Sequence, residues 1–274
     1  MILLDKNEYQ KAKAALNKVT FNNLFSRFVL EQHINGKVFV DNREHPETFY
    51  ISHPYGMSLL FGKTDNNTFN AHFLDYALNS FNIRNNYEWL QVFPNAWNET
   101  FIGLFGDKLV KSADNKDDPT KIEIHTRVNF KFNKDKYLNF KSGNSPKEHH
   151  IIRTDATIFE NMPGSVVPKF FWNDAEQFCN SGFGFSLIVQ GKVASTAYSA
   201  FILDNKLEIG IETTAETRGK GCAIAVCSAL IDYCIENNYE PVWACRLANS
   251  ASFKLAQKLG FEPTVYLPFY RLLK

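Results

Sequence analysis

The segment from Ile209 to Ala223 constrains the fold of this 274-residue chain more than any other part of the sequence. An apolar run, Ile209 to Thr213, leads through a turn into a loop that contains Gly219 and Gly221, and a helical pattern follows. Glycine tolerates positive φ and leaves space beside the backbone, so successive N–H groups can converge on one anion. The segment therefore predicts a phosphate-binding loop between a strand and a helix.

The residues after this loop, 222–237, predict a helix with one buried stripe. Apolar side chains recur at helical spacing in Ala223, Ile224, Cys227, Leu230, Ile231, Cys234 and Ile235. The unpaired N–H groups of the first turn and the positive end of the helix dipole favour a phosphate there. We therefore expect a pyrophosphate to contact Arg218, Gly219, Lys220, Gly221, Cys222 and Ala223.

Two further segments follow the predicted loop and helix. Pro241–Cys245 is typical of a strand, and the run from Asn249 to Phe261 predicts a helix. Asn249 suits the N-cap of that helix, and Gly260 suits the position just after its end. The order is therefore strand, loop, helix, strand, helix.

These motifs make the chain resemble the GNAT superfamily of acyl-CoA N-acyltransferases. Arg218–Ala223 matches the family's Arg/Gln-x-x-Gly-x-Gly/Ala loop, and Asn249–Phe261 matches its Asn-x-x-Ser…Leu-Gly-Phe segment. Glu208–Thr213 and the strand around Trp243 look closer still to the zwittermicin-resistance-type branch. The resemblance covers roughly residues 150–274. It implies an α/β (α+β) fold with a mixed, mostly antiparallel sheet flanked by helices.

The second half of the chain predicts the order of elements that this resemblance implies. The predicted strands are Ile151–Thr154, Phe183–Val189, Lys192–Leu203, Lys206–Thr213, Pro241–Cys245 and Thr264–Leu272. A hairpin is expected at Gln190-Gly191, and Val166–Asn180 is expected to be the first helix of this half.

The first half repeats much of this order. Its predicted strands are Lys37–Val40, Thr48–Ser52, Met57–Phe61 and Trp89–Phe93, and its predicted helices are Phe69–Leu78 and Ala96–Phe105. The corresponding strand-to-helix junction, Gly62 to Thr68, lacks a pair of loop glycines. We therefore expect a degenerate GNAT-like domain over residues 1–143 and the acyltransferase domain over 144–274, with a linker near Lys141–Lys147.

Acyl transfer to an amine requires a neutral nucleophile, and a base to receive its proton is therefore useful. All 7 histidines lie within the first 150 residues, so a carboxylate is the expected base. Glu208 and Glu212 share one face of their strand because alternate residues project the same way. Either glutamate is also compatible with a solvated strand face. Asp204 is a weaker candidate, and His149 and His150 are typical of solvated turn residues.

The resemblance also implies roles for residues around the cofactor, which it identifies as acetyl-CoA or another acyl-CoA. The strand residues Ile211 and Thr213 would bind the pantetheine arm through their backbone, and Asn249 and Ser252 would lie along the arm. Many members carry a tyrosine as general acid four residues before Gly-Phe, where this chain has Ala256. Tyr266 or Tyr270 on the last strand are alternatives, although an aromatic residue there is more typical of a core.

Composition excludes several other classes of protein. The net charge of +1 argues against a nucleic-acid surface. No apolar run approaches the roughly 20 residues of a membrane span, so a cytoplasmic location is expected. The 5 cysteines include no Cys-x-x-Cys pair, so core thiols are expected rather than a metal site.

The sequence as a whole therefore predicts an N-acetyltransferase that acts on a primary amine of a small, antibiotic-like or metabolite molecule. Two alternatives remain at this point. A chain with two GNAT-like halves is also compatible with an aminoacyl transferase that uses charged tRNA, and the missing tyrosine is compatible with a non-catalytic acyl-CoA-binding regulator. No oligomeric state is assigned.

Overall fold

The computed structural model describes residues 1–115, 117–143 and 150–274. Most of the expected linker near Lys141–Lys147, together with His149, lies outside these described residues. The strands are β1 (Ile2–Leu3), β2 (Lys37–Val40), β3 (Thr48–Ser52), β4 (Met57–Gly62), β5 (Glu88–Phe93), β6 (Leu109–Lys111), β7 (Ile122–Phe132), β8 (Ile151–Arg153), β9 (Gly184–Val189), β10 (Lys192–Leu203), β11 (Lys206–Thr213), β12 (Glu240–Arg246) and β13 (Phe261–Leu272).

The helices lie between these strands along the chain. They are α1 (Lys13–Leu16), α2 (Leu24–Leu30), α3 (Asn67–Ala77), α4 (Ala96–Phe105), α5 (Lys134–Ser142), α6 (Ala156–Asn161), α7 (Ala175–Ser181), α8 (Cys222–Glu236) and α9 (Ser250–Lys258). Short 3-10 turns join several of them.

The chain divides into two compact units. The first contains Met1–Arg127, Arg246–Ala248 and Tyr266–Lys274, and the second contains Val128–Cys245 and Asn249–Val265. The first of these boundaries lies between Arg127 and Val128, within the continuous strand β7, whereas the sequence predicted a division at residue 143. The end of β13 belongs to the first unit because Tyr270 pairs with Leu90 of β5.

In the first unit, β1 to β4 form an antiparallel meander, β4 and β5 run parallel, and β13 pairs antiparallel with β5. The helix α3 forms because its apolar side chains Phe69, Phe73 and Ala77 recur every four residues and become buried. They pack with Tyr50 and Phe101 in an aromatic core. Four of the 25 phenylalanines in the sequence, Phe69, Phe73, Phe101 and Phe105, are buried in this core.

In the second unit, β8, β9, β10 and β11 are antiparallel neighbours, and β11 pairs with β12 in parallel. The buried stripe of α8, which includes Val226 and Leu230, packs against Leu207 and Ile209 of β11. The mixed, mostly antiparallel arrangement with flanking helices confirms the predicted fold class. Burial of Cys227 in this core is as expected from its place on the stripe.

The predicted helix Val166–Asn180 is wrong in its first part. The structure has a 3-10 turn at Pro168–Phe170 and begins α7 only at Ala175. Pro168 lacks an N–H group, and the side chain of Asp174 accepts a hydrogen bond from the Gln177 N–H, which starts a separate helix. The helices α2, α5 and α6 were not expected, and β13 begins at Phe261 rather than at the predicted Thr264.

Two features of the described residues bear on function. No described helix is long and apolar enough to cross a membrane. The described part of the chain also contains no group of three or more His, Cys, Asp or Glu residues arranged to hold a metal ion.

Candidate active site

The loop between β11 and α8 adopts the conformation expected for an anion-binding turn. Gly219 has a φ of 75° and Gly221 a φ of 85°, a region that side chains other than glycine rarely adopt. A Cβ atom added at either position would meet nothing within 4 Å. The backbone of this loop is therefore open to an approaching ligand.

Gly221 is the N-cap residue of α8, and no side chain caps the helix among the described residues. The first N–H groups of a helix lack partners within the helix itself, so this end remains available to an anion. Cys222, the first residue of the helix, is buried beneath the loop, whereas Ala223 is half-buried. A pyrophosphate would fit here through backbone groups.

Hydrogen bonds to β10 hold the start of the loop. The Thr214 N–H and the Thr217 hydroxyl both donate to the Ala194 carbonyl, at 3.0 and 2.8 Å. The hydroxyl groups of Ser195 and Thr213 are 2.8 Å apart. The loop is thus fixed before any ligand arrives, which lowers the entropic cost of binding.

The two cations of the loop differ in their contacts. The Arg218 Nε donates to the Thr213 carbonyl at 3.2 Å, and its guanidinium lies 3.8 Å from the Glu212 carboxylate. Lys220 is exposed. Arg218 is therefore positioned at the end of β11, and Lys220 adds charge at the rim of the loop.

The parallel strands β11 and β12 separate next to this loop. Their pairing covers only three positions, from Lys206 opposite Glu240 to Glu208 opposite Val242. Beyond that point the segment Ile209–Thr213 keeps its antiparallel partner β10 but has no paired residue on β12. Ile211 and Thr213 therefore lie on a strand edge whose backbone groups can bind an extended ligand.

Glu208 lies where the two strands part, at the last paired position of β11. It is only 6% exposed. Glu212, two residues beyond Gly210, lies on the same strand face as Glu208, as expected, since Leu207 and Ile209 occupy the opposite face against α8. The prediction of a shared face thus agrees with the burial pattern.

The carboxylate of Glu212 is already engaged. Its Oε2 accepts hydrogen bonds from the N–H groups of Ser165 and Val166, at 2.9 and 3.0 Å. Charge-assisted hydrogen bonds of this kind are among the stronger ones in proteins, so they hold the carboxylate and the two N–H groups in place. Glu212 therefore anchors the 164–166 segment. The sequence carries no sign of this contact other than the neighbouring Pro163-Gly164 pair.

Asn249 and Ser252 lie together at the start of α9. The Asn249 Oδ1 accepts the Ser252 N–H at 3.1 Å, so the expected N-cap is present. The Ser252 Oγ accepts the indole N–H of the buried Trp243 at 3.2 Å. These bonds join β12 to α9 and leave the Asn249 amide nitrogen for a ligand.

The structure places Ala256 in the second unit, and it places both candidate general acids, Tyr266 and Tyr270, in the first unit. Ala256 is completely buried in the core of the second unit. Tyr270 is buried in the aromatic core of the first unit, where its hydroxyl donates to Asn98 and burial raises its pKa. Tyr266 is 53% exposed and belongs to the first unit.

The first unit contains a comparable strand, helix and parallel strand, but its equivalent site is closed. There β4 and β5 pair over five positions, Met57–Phe61 with Trp89–Phe93. The helix α3 is capped by the Asn66 side chain, which accepts the Phe69 N–H at 3.0 Å. This unit therefore offers neither an open strand edge nor an uncapped helix end at that position.

A strand edge that opens beside a glycine loop and an uncapped helix is the arrangement that the resemblance to acyl-CoA N-acyltransferases implied. The chain belongs to the GNAT acetyltransferase family, whose sequence profile matches residues 15–270. The match extends the resemblance, expected over residues 150–274, into the first half. Proteins of this family use acyl-CoA.

Known proteins resemble the chain over nearly its whole length. It is 27% identical over 270 residues to an uncharacterised N-acetyltransferase, YdfB, of Bacillus subtilis, covering 97% of each chain. A GCN5-related N-acetyltransferase-like protein of Streptococcus suis has a TM-score of 0.71 at 20% identity, over 97% of this chain and 98% of that one. A tandem GNAT protein from the clavulanic acid biosynthesis pathway has a TM-score of 0.61 at 12% identity, over 98% and 97%. The two structural likenesses show the fold.

Proposed function

We propose that the second unit transfers an acyl group, in the first instance acetyl, from acyl-CoA to a primary amine of a small molecule. The observation that carries this proposal is the open edge of β11 beyond Glu208, which leads directly to the glycine loop and the uncapped end of α8. One edge and one loop could thereby hold an extended arm and its pyrophosphate.

The residues fit the cofactor in a consistent way. Backbone N–H groups from Gly219 to Ala223 would hold the pyrophosphate, with the charge of Arg218 and Lys220. Ile211 and Thr213 would bind the arm along the strand edge, and Asn249 would donate from its free amide nitrogen. When bound, acyl-CoA supplies the activated acyl group and leaves as the thiol.

Glu208 is the base in this proposal. An alkylammonium with a pKa of about 10.4 is only about 0.04% neutral at pH 7, so removal of its proton limits attack. Glu208 lies where the strands part, and it receives the proton that the amine loses as the carbon–nitrogen bond forms. Glu212 positions the 164–166 segment instead.

The substrate class rests on the resemblance of Glu208–Thr213 and the Trp243 strand to the zwittermicin-resistance-type branch. We accordingly propose an antibiotic-like or metabolite amine as the acceptor, and acetyl as the group transferred. The first assay is therefore thiol release from acetyl-CoA across a panel of small primary amines.

The cofactor assignment is tested by titration calorimetry with acetyl-CoA. Gly221→Val should abolish binding because its side chain enters the open space above the loop. Valine is also strained at positive φ, so Gly191→Val is the matched control. Gly191 has a φ of 74°, meets nothing within 4 Å and lies in the β9–β10 hairpin. Equal affinity in the two variants would refute the assignment.

One specific observation favours a second candidate, a non-catalytic acyl-CoA-binding regulator. Ala256 is fully buried, and Glu212 is engaged by backbone N–H groups, so only Glu208 remains of the proposed proton-transfer groups on these elements. Acetyl-CoA binding without thiol release on any amine of the panel would favour this regulator over the enzyme.

A further inference from the structure

A polar cluster on the first unit has no role in the transfer proposed for the second. His125 donates from Nε2 to Glu123 Oε2, with 2.7 Å between these atoms. The other Glu123 oxygen accepts from the Asn115 amide at 2.6 Å and from the Arg271 guanidinium. The carboxylate therefore fixes the orientation of the imidazole.

The free nitrogen of this imidazole is an acceptor. Nδ1 of His125 makes no hydrogen bond within the described part of the chain. Burial lowers the pKa of His125, although the hydrogen bond and charge of Glu123 oppose that shift. The neutral ring with its proton on Nε2 presents a lone pair at Nδ1. A ligand that contacts it must supply an O–H or N–H group.

An aromatic ring lies beside this imidazole, and a cation lies against the aromatic ring. The Trp89 ring centroid is 5.0 Å from that of His125, and the Arg246 guanidinium lies 4.6 Å from the same indole centroid. Arg246 has no carboxylate partner among the residues described. Since Arg271 balances Glu123, Arg246 leaves this cluster with a positive charge that favours an anion.

A buried amide on the same face gives a second, independent sign of a ligand or bound water. Gln91 is completely buried, and neither its Nε2 nor its Oε1 has a hydrogen-bond partner among the described residues. Gln91 and Trp89 are two residues apart on β5, so their side chains project from the same face. Buried amides are usually hydrogen-bonded to protein or ordered water, so a bound water or a polar ligand group would satisfy Gln91.

The spacing limits the size of the ligand. The Arg246 guanidinium carbon and the His125 ring are each within 5.0 Å of the Trp89 centroid, so they are at most about 10 Å apart. Two hydrogen bonds of about 2.9 Å leave room for a few bonded atoms between a carboxylate and a donor group. Trp89 and Arg246 are partly exposed, whereas the His125 side chain is only 8% exposed, so a small molecule reaches this cluster from the side of Trp89 and Arg246.

We propose that this face of the first unit binds a small hydroxy- or amino-carboxylic acid. Its carboxylate pairs with Arg246, and its hydroxyl or ammonium group donates to Nδ1 of His125. The aliphatic part of the ligand contacts the Trp89 indole. This site goes beyond the acyl transfer proposed for the second unit.

The test uses the full chain and titration calorimetry with the proteinogenic L-amino acids, L-lactate and L-malate. Each acid is paired with its amide, which keeps the donor group but lacks the charge. We expect at least one acid to bind ten times more tightly than its amide. Arg246→Gln should weaken binding of that acid at least tenfold, and Arg246→Lys should weaken it less. Arg218→Gln, which removes the same charge from the second unit, should leave the affinity for the acid unchanged.

Two further measurements separate this site from misfolding and from the acyl-CoA site. Binding should shift the ¹⁵N resonance of one imidazole, and His125→Asn should remove that resonance and weaken binding. Acetyl-CoA affinity should be unchanged in Arg246→Gln. The proposal is overturned if no acid is preferred over its amide, if no imidazole resonance moves on binding, or if Arg246→Gln binds the acid normally.

Discussion

Glu88 gives the first unit a stability that depends on pH. It lies on β5 and is only 4% exposed. The Tyr76 hydroxyl donates to its Oε2 at 2.9 Å, whereas Oε1 has no partner among the described residues. Burial raises the pKa of this carboxyl from 4.5 to about 8, although the charge of Lys37 opposes the shift. Glu88 is therefore protonated in the folded protein at pH 5.

The sign of the effect follows from proton binding. Between pH 4.5 and 8 the folded state holds a proton that the unfolded state has lost, so the free energy of unfolding falls as the pH rises. For these two pKa values, the contribution of Glu88 should decrease by roughly 3 to 4 kcal/mol from pH 5 to pH 8.

The assay is urea unfolding at both pH values, followed by tryptophan fluorescence. Glu88→Gln keeps the shape of the neutral carboxyl but cannot ionise. Its unfolding free energy should therefore fall by roughly 3 to 4 kcal/mol less than that of the natural chain over this interval. The exposed Glu44→Gln is the control and should behave like the natural chain. An equal pH dependence in all three proteins would refute the reasoning.

Four further predictions concern the second unit and the acyl-CoA site. Glu208→Gln should lower kcat at least about a hundredfold and leave acetyl-CoA affinity within about twofold, because it removes a base; full turnover would reassign that role. Glu212→Gln should instead raise the amine KM and lower the free energy of unfolding by about 1–3 kcal/mol, because two backbone N–H groups lose their anionic acceptor. Measurements of kcat, KM and urea unfolding distinguish this result from that of Glu208→Gln. Gly210→Ala should destabilise by about 1–3 kcal/mol in urea unfolding because its Cβ would lie 2.4 Å from the Tyr198 ring, and Tyr198→Leu in the same chain should restore part of the loss. Calorimetry should also find one acetyl-CoA per chain, and two would contradict the degenerate first half.

Local chemistry made much of the second unit predictable. The stripe of α8, the N-cap at Asn249 and the positive φ of Gly219 and Gly221 all follow from short-range pattern and backbone sterics. Predictions failed where a local signal competed with another. The segment after Val166 has helical spacing, but Pro168 interrupts it, and the cap at Asp174 begins a new helix.

The roles of the acidic and basic side chains were much less predictable. Glu208 and Glu212 look alike in sequence, yet Glu208 lies at the last β11–β12 pair, whereas Glu212 binds the N–H groups of Ser165 and Val166, 47 and 46 residues away. Similarly, His125 carried no sequence signal, because its partner Glu123 is bound on the other side by Arg271, which lies 148 residues from Glu123 along the chain.

The sequence by itself determined the glycine loop, the helix after it and the membership of a family, because each depends on neighbouring residues and on steric rules that hold locally. The tertiary structure alone decided how far β11 and β12 stay paired, and therefore where a strand edge is open for a ligand. Contacts between residues distant in the chain decide where the strands separate, which partners the carboxylates have and that the end of β13 belongs to the first unit. No periodicity or motif encodes those contacts.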